Sequence, residues 1–258
     1  MAEGVSDPEA TFHDLFSGHA ADYARYRPSY PDALYRHVAA ALTRSELAWD
    51  CATGNGQAAL ALTSHVARVV ATDASAEQLE HATPHPQVSF QQARAEASGL
   101  TAESVDLITV AAAAHWFDLG AFYREVRRVA RPKAVVALWT YRPHVRVSPE
   151  LEALVDELAG ERLGPYWAAP ISRYVESGYA TLPFPFEELP SPELSCRVTW
   201  PLEGLLAHIR TWSAVQTAWR TTGDDPVAEM ADAFARAWGE PAQAREVRFP
   251  LHLRLGRV

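Results

Sequence analysis

The chain has 258 residues, 48% hydrophobic and 21% charged, which suits one soluble domain with a sizeable core. Its 32 acidic and 23 basic residues leave a net charge of −9. Without a block of lysine and arginine it lacks the footprint of phosphate-backbone binding, so no nucleic acid is expected as partner. Two distant cysteines, Cys51 and Cys196, provide neither a disulfide framework nor a paired-cysteine zinc site. The ten histidines show no close ligand spacing, and no metal is expected. The polar, acidic amino terminus has no apolar core like that of a secretory signal. No apolar run approaches the roughly 20 residues of a membrane span. The expectation is a cytoplasmic protein with no membrane partner.

In chain order, "TFHDLFSGHAADYARYRPSYPDALYRHVAAAL" opens with aromatic and apolar residues at helical spacing, Phe12, Leu15, Phe16 and Tyr23. Pro28 and Pro31 interrupt that pattern, and a helix is expected from Pro31 through Leu34, Val38 and Leu42. Short apolar runs then alternate with helix-like segments. Strands are expected at Leu47–Cys51, Arg68–Thr72, Val88–Gln91, Val105–Val110 and Ala134–Trp139, with helices at Ala58–Ser64, Ala76–Ala82 and Leu119–Ala130. This alternation predicts parallel βαβ units in a doubly wound α/β sheet whose post-strand loops meet at one ligand-binding edge.

After Tyr141 the rhythm changes. "PELEALVDELAGERLG" reads as a helix ending at a glycine, and a stretch rich in proline and aromatics follows it. Two more strands, Leu194–Trp200 and Glu246–Leu255, flank a long helical stretch from Leu202 to Trp238. The expected organisation is a single domain over 1–258. It has an amino-terminal lid (1–45), a cofactor-binding core (46–141), a helical and aromatic cap (142–192 and 202–240) and the last strands (194–200 and 246–256). That brings the sheet to seven strands, Rossmann-like, with helices on both faces.

The first strand ends in "DCATGNGQAA". Its Gly-Asn-Gly-Gln-Ala-Ala portion satisfies G-x-G-x-x-A, so a nicotinamide dinucleotide is one candidate ligand. S-adenosylmethionine is the other. Gly54 and Gly56 remove Cβ atoms that would keep a loop away from a ligand. Asp50 closes the strand, where it can hold the loop through backbone hydrogen bonds and face an ammonium group. The second strand ends in Asp73 and Ala74, the position from which an acidic side chain reaches ribose hydroxyls. A carboxylate there would repel a 2′-phosphate. Asp73 or Ser75 can equally cap the helix beginning near Ala76, and both roles can coexist.

"ARAEASGL" and "SVDLITVAAAAHWFD" resemble the adenine-contact loop and fourth motif of class I S-adenosylmethionine-dependent methyltransferases of the methyltransferase type 11 branch, and "FYREVRRVARPKAVVALW" resembles the helix and turn that follow. Asp50-x-Ala52-x-Gly54-x-Gly56 is similar to that family's first motif, with Ala52 where glycine is commonest and Lys133 replacing a usual glycine. "FSGHAADYARYRPSYPDALY" and "HIRTWSAVQ" resemble the subgroup around trans-aconitate methyltransferase. The resemblance implies S-adenosylmethionine as cofactor and a small-molecule methyl acceptor. It places Ala95 and Glu96 beside the adenine, and Ala111 and Ala112 beside the reactive end. Arg94 stands where many relatives have aspartate. His115, Trp116 and Phe117 are implied at the boundary between cofactor and acceptor.

His115 is the candidate base for a hydroxyl or amine acceptor, since imidazole titrates near neutrality. It can equally orient the cofactor or pack beneath the cap, and a carboxylate acceptor needs no base. In "DYARYRPSYP", Tyr23 is expected near the sulfonium end. Arg27 is expected on a cofactor or substrate carboxylate, a geometry suited to guanidinium, or in an ion pair that shuts the lid. Tyr141 and Arg142 follow the fifth strand. Tyr166, Trp167, Arg210, Trp212 and Gln216 supply an acceptor pocket from the cap or form the cap's own core. The expected reaction is methyl transfer to a carboxylate or hydroxyl oxygen. The alternatives are a cofactor-binding protein without transfer and a nicotinamide-dependent oxidoreductase. Oligomeric state is left open.

Overall fold

The computed structural model describes residues 26–258. Tyr23 and the helical pattern at residues 12–16 lie outside the described residues. Helix α1 spans Asp32–Ala40, entered from Pro31. The parallel part of the sheet is β1 (Leu47–Cys51), β2 (Arg68–Asp73), β3 (Val88–Gln92), β4 (Val105–Ala111) and β5 (Ala130–Tyr141). Helices α2 (Gln57–Leu62), α3 (Ala76–Glu80) and α4 (Leu119–Val129) connect them. Two short pieces, β6 (Glu187–Glu188) and β7 (Leu194–Trp200), precede the long β8 (Arg245–Arg257).

The strand order is β3-β2-β1-β4-β5-β8, with β1 to β5 parallel and β8 antiparallel to β5. Both β6 and β7 pair along the outer edge of β8. They act as one interrupted strand, so the sheet has the seven positions expected. Alternation along each strand separates the core into two halves. Ala48, Leu107, Val135 and Ala137 face one side with α1, α2 and the cap. Trp49, Ile108, Val136 and Leu138 face the other with α4 and the 171–182 segment. Strands buried on both faces explain the near-continuous apolar runs of the sequence.

The reversal of strand order between β1 and β4 is the switch point where ligands bind in open α/β sheets. The loops after β1, β2, β4 and β5 converge there.

Two expectations change. The fifth strand is longer at both ends, Ala130–Tyr141. The stretch Leu202–Trp238 is four helices: α6 (Leu202–Arg210), α7 (Ser213–Thr222), α8 (Pro226–Glu229) and α9 (Ala231–Trp238). Gly223 ends α7 in the left-handed region at φ 85°. Asp225 caps α8 through a bond from the Val227 amide, with Pro226 in the first turn. Before them α5 (Pro149–Glu157) is capped by Ser148 and widens into a π-helical turn, Leu158–Arg162. No helix among the described residues is long and apolar enough to cross a membrane.

Candidate active site

A cavity of about 820 Å³ opens at the switch point, lined by residues of all four loops and of the cap. That volume lies within the ~300–1,000 Å³ common for small-molecule sites. Its lower rim is the β1 loop. Ala52 (φ 55°) and Gly54 (φ 57°) both adopt left-handed backbone and line the cavity. A Cβ on Gly54 would meet only Gln78 Oε1, 3.8 Å away, so the bare backbone faces open space.

Gly56 does something different. It does not line the cavity but caps α2 at φ 87°, and a Cβ there would sit 2.8 Å from the Phe90 ring. Its glycine is required by packing and conformation. Asp50 also lies outside the lining, fully buried behind the loop. Instead of backbone amides of the glycine turn, its carboxylate accepts the hydroxyls of Thr53 and Thr109, both at 2.6 Å. Burial pushes its pKa up to about 6 against those hydrogen bonds. Asp50 therefore positions Thr53, which does line the cavity.

Asp73 lines the cavity beside Ala74 and Ser75. Its two oxygens accept the amides of Gly54 (2.8 Å) and Ser75 (2.9 Å), tying the tips of β1 and β2 together. Ser75 itself caps α3, accepting from the Gln78 amide. Burial raises the Asp73 carboxyl above the usual range, outweighing the amides that hold it down. A carboxylate has about four acceptor sites, so capacity remains for ribose hydroxyls.

Arg94, Ala95 and Glu96 form the wall after β3. This loop is pinned by Glu125 of α4, whose Oε1 accepts both the amide (2.9 Å) and the hydroxyl (2.5 Å) of Ser98. Arg128 bonds to the same carboxylate and, with Ser98, brings its pKa down to about 2 against burial. Glu125 is a buried acid in an otherwise basic helical run, a signal visible only once the facing loop is known.

Ala111 ends β4, Ala112 (φ 53°) and Ala113 follow it, and a 3₁₀ turn over Ala114–Trp116 comes next. All three alanines, His115, Trp116 and Phe117 line the cavity. Trp116 is 37% exposed at its edge. His115 is 8% exposed, and its Nδ1 lies 2.9 Å from the hydroxyl of Tyr179. Burial, with the nearby Arg27 charge second, pulls its pKa down to about 3. At neutral pH the ring is uncharged.

The far half is lined by Arg27, Tyr30, Tyr141, Arg142, Trp167 and Trp212. The Arg27 guanidinium lies 5.7 Å from the Tyr141 ring centroid. Arg142 has a buried Nε with no hydrogen-bond partner among the described residues. Trp167 and Trp212 pack 5.8 Å apart and serve as both wall and core. Each indole N–H is satisfied, on the Ala159 carbonyl and on His208 Nε2. Arg210 does not reach the cavity. It pairs with Asp225 at 3.1 Å, and Gln216 bonds to its carbonyl. Tyr166 also stays outside. Arg210 points away because α6 ends there, presenting it to the α8 cap.

The open backbone at Gly54, the spare acceptor capacity of Asp73 and the wall at Ala95 fit an adenosyl group with an amino-acid tail. Comparison with known proteins agrees. Residues 49–138 match the family described as "Methyltransferase domain". A Dictyostelium discoideum protein described as a methyltransferase is 26% identical over 251 residues, 95% of each chain. An uncharacterized Mycobacterium tuberculosis methyltransferase is 34% identical over 129 residues, 49% of this chain and 52% of that one. A solved structure assigned as a type II methyltransferase from Anaeromyxobacter dehalogenans superposes with a TM-score of 0.83 at 45% identity, covering 90% of this chain and 97% of the other. The chain belongs to the class I S-adenosylmethionine-dependent methyltransferases, in the type 11 branch.

Proposed function

We propose that this methyltransferase transfers the methyl group to an oxygen of a small anionic molecule, a carboxylate ahead of a hydroxyl. The observation that carries the reading is the far half of the cavity, where Arg27 and Arg142 stand among aromatic side chains and the buried Nε of Arg142 has no hydrogen-bond partner among the described residues. A planar guanidinium matches a carboxylate bidentately. No carboxylate side chain among the described residues lines that half, and His115 with a pKa of about 3 is a poor acceptor for a hydroxyl proton.

In this reading Gly54, Ala52 and Asp73 with Ala74 hold the methionine and ribose portions, and Ala95 and Glu96 flank the adenine. Ala111 and Ala112 border the reacting centre. Asp50 and Gly56 act from behind by shaping the loop. Trp116, Tyr141, Trp167 and Trp212 enclose the acceptor, with residues 1–45 as lid, Tyr23 and Arg27 included, and 142–192 with 202–240 as cap.

Bound S-adenosylmethionine supplies a methyl already activated by its sulfonium. Transfer to a carboxylate oxygen would form the O–C bond with the oxygen's electron pair as the S–C pair returned to sulfur, and would give an ester and S-adenosylhomocysteine. A carboxylate gives up no proton in this step, so the protein's task is orientation and exclusion of water. The resemblance to the trans-aconitate subgroup supports the same acceptor class. A panel of small carboxylic acids, alcohols, phenols and amines, scored by S-adenosylhomocysteine formation, tests the reading. Turnover of acids is expected, and turnover confined to amines or neutral alcohols would overturn it.

A further inference from the structure

Tyr179 is fully buried and does not line the cavity, yet its backbone is left-handed at φ 66°. For a bulky residue that conformation is strained, and such strain persists only where surrounding contacts over-determine it. Here they do. The Tyr179 amide donates to the Tyr174 carbonyl at 2.8 Å, and its carbonyl accepts from Arg254 of β8 at 2.7 Å. The preceding Gly178 packs against the His252 ring so closely that a Cβ would come within 2.5 Å of it. All of this delivers one phenol oxygen to His115 Nδ1, at 2.9 Å.

The direction of that bond follows from burial. Among the described residues the hydrogen-bond partner of the fully buried phenol is His115 Nδ1. A hydroxyl carries one proton and two lone pairs, and a buried proton left without an acceptor is costlier and rarer than an idle lone pair. The phenol therefore donates to His115 Nδ1, and the second ring nitrogen carries the hydrogen.

We propose that Tyr179 is a positioning residue that fixes His115 in the Nε2–H tautomer, so that His115 presents a hydrogen-bond donor to the methyl acceptor. A neutral donor of this kind orients a carboxylate or carbonyl oxygen beside the arginines and cannot serve a hydroxyl or amine that must lose a proton. The use of the donor toward the acceptor rests on the oxygen-methylation reading above. The tautomer itself does not.

The test is two-bond ¹H–¹⁵N correlation of the imidazoles in the intact protein near pH 7.5, with His115→Gln identifying the His115 signals. The expected result is an unprotonated Nδ1 and a protonated Nε2 in the wild type, with mixed or inverted tautomers in Tyr179→Phe. That variant deletes one oxygen, and its fold is checked by the other imidazole signals. A protonated Nδ1 in the wild type overturns the proposal without any variant. So does a Tyr179→Phe protein that folds and keeps the wild-type tautomer. Turnover of amines by an enzyme whose His115 carries Nε2–H would sink the oxygen reading and leave the tautomer standing.

Discussion

Asp73 joins the β1 and β2 loops that line the cavity, so its removal can be worked through quantitatively. In Asp73→Ala the amides of Gly54 and Ser75 lose their acceptor, bonds of 2.8 and 2.9 Å. Hydrogen bonds to a charged group contribute about 1.5–3 kcal/mol each. The carboxylate is largely buried and its pKa already raised by that burial. Relief of desolvation therefore offsets part of the loss, and a net destabilisation of about 1–3 kcal/mol is expected in urea. Cofactor binding loses one further charge-assisted bond to ribose, again about 1.5–3 kcal/mol, or roughly 10- to 150-fold in Kd. Isothermal titration with S-adenosylhomocysteine reads the second effect and denaturation without ligand reads the first. Asp73→Asn is expected to fall nearly as far, because its NH₂ would face one of two amide donors. Affinity within twofold of wild type, together with a clear loss of stability, would refute the ribose role and leave Asp73 as a loop staple.

Gly56→Ala should cost about 2–5 kcal/mol of stability in urea. This combines left-handed backbone at φ 87° with a Cβ 2.8 Å from the Phe90 ring, and a loss below 1 kcal/mol would contradict it. Once an acceptor is known, His115→Gln, whose amide can donate from near the Nε2 position, should retain at least tenfold more kcat/KM than His115→Phe; equal activities would remove the donor role. Buried His115 and His208, with pKa values of about 3 and about 4, stay neutral in the fold while the unfolded chain takes up protons near 6.5. Their contribution is complete above about pH 6.5 and fades as pH falls toward 4 and 3, at up to about 1.4 kcal/mol per pH unit each. Asp50, raised to about 6, opposes this between roughly pH 4 and 6, since its preference for the fold is lost as pH rises through 6. Imidazole signals of the two histidines that titrate near 6.5 would refute the assignment.

The cavity's near half was legible in the chain because it is built from strand tips. Each of Gly54, Asp73, Ala95 and Ala111 sits directly after or within a few residues of an apolar run that reads as a strand. The topology then brings those tips together whatever their loops contain. Asp50 and Gly56 belong to the same motif, yet they face the protein interior. The motif records which residues the loop needs, and only the turn's geometry separates ligand contact from support.

Local pattern therefore determined the parallel sheet, its seven positions and the edge at which the cofactor's loops meet, because strand alternation and glycine placement are short-range properties. The tertiary structure alone decided the far half of the cavity. There Arg210 is drawn off to Asp225 while Arg142 turns inward, and Glu125 reaches across to Ser98. Tyr179, 64 positions from His115, sets the proton on its ring. Contacts of that kind join segments with no shared periodicity, and only the folded chain makes them neighbours.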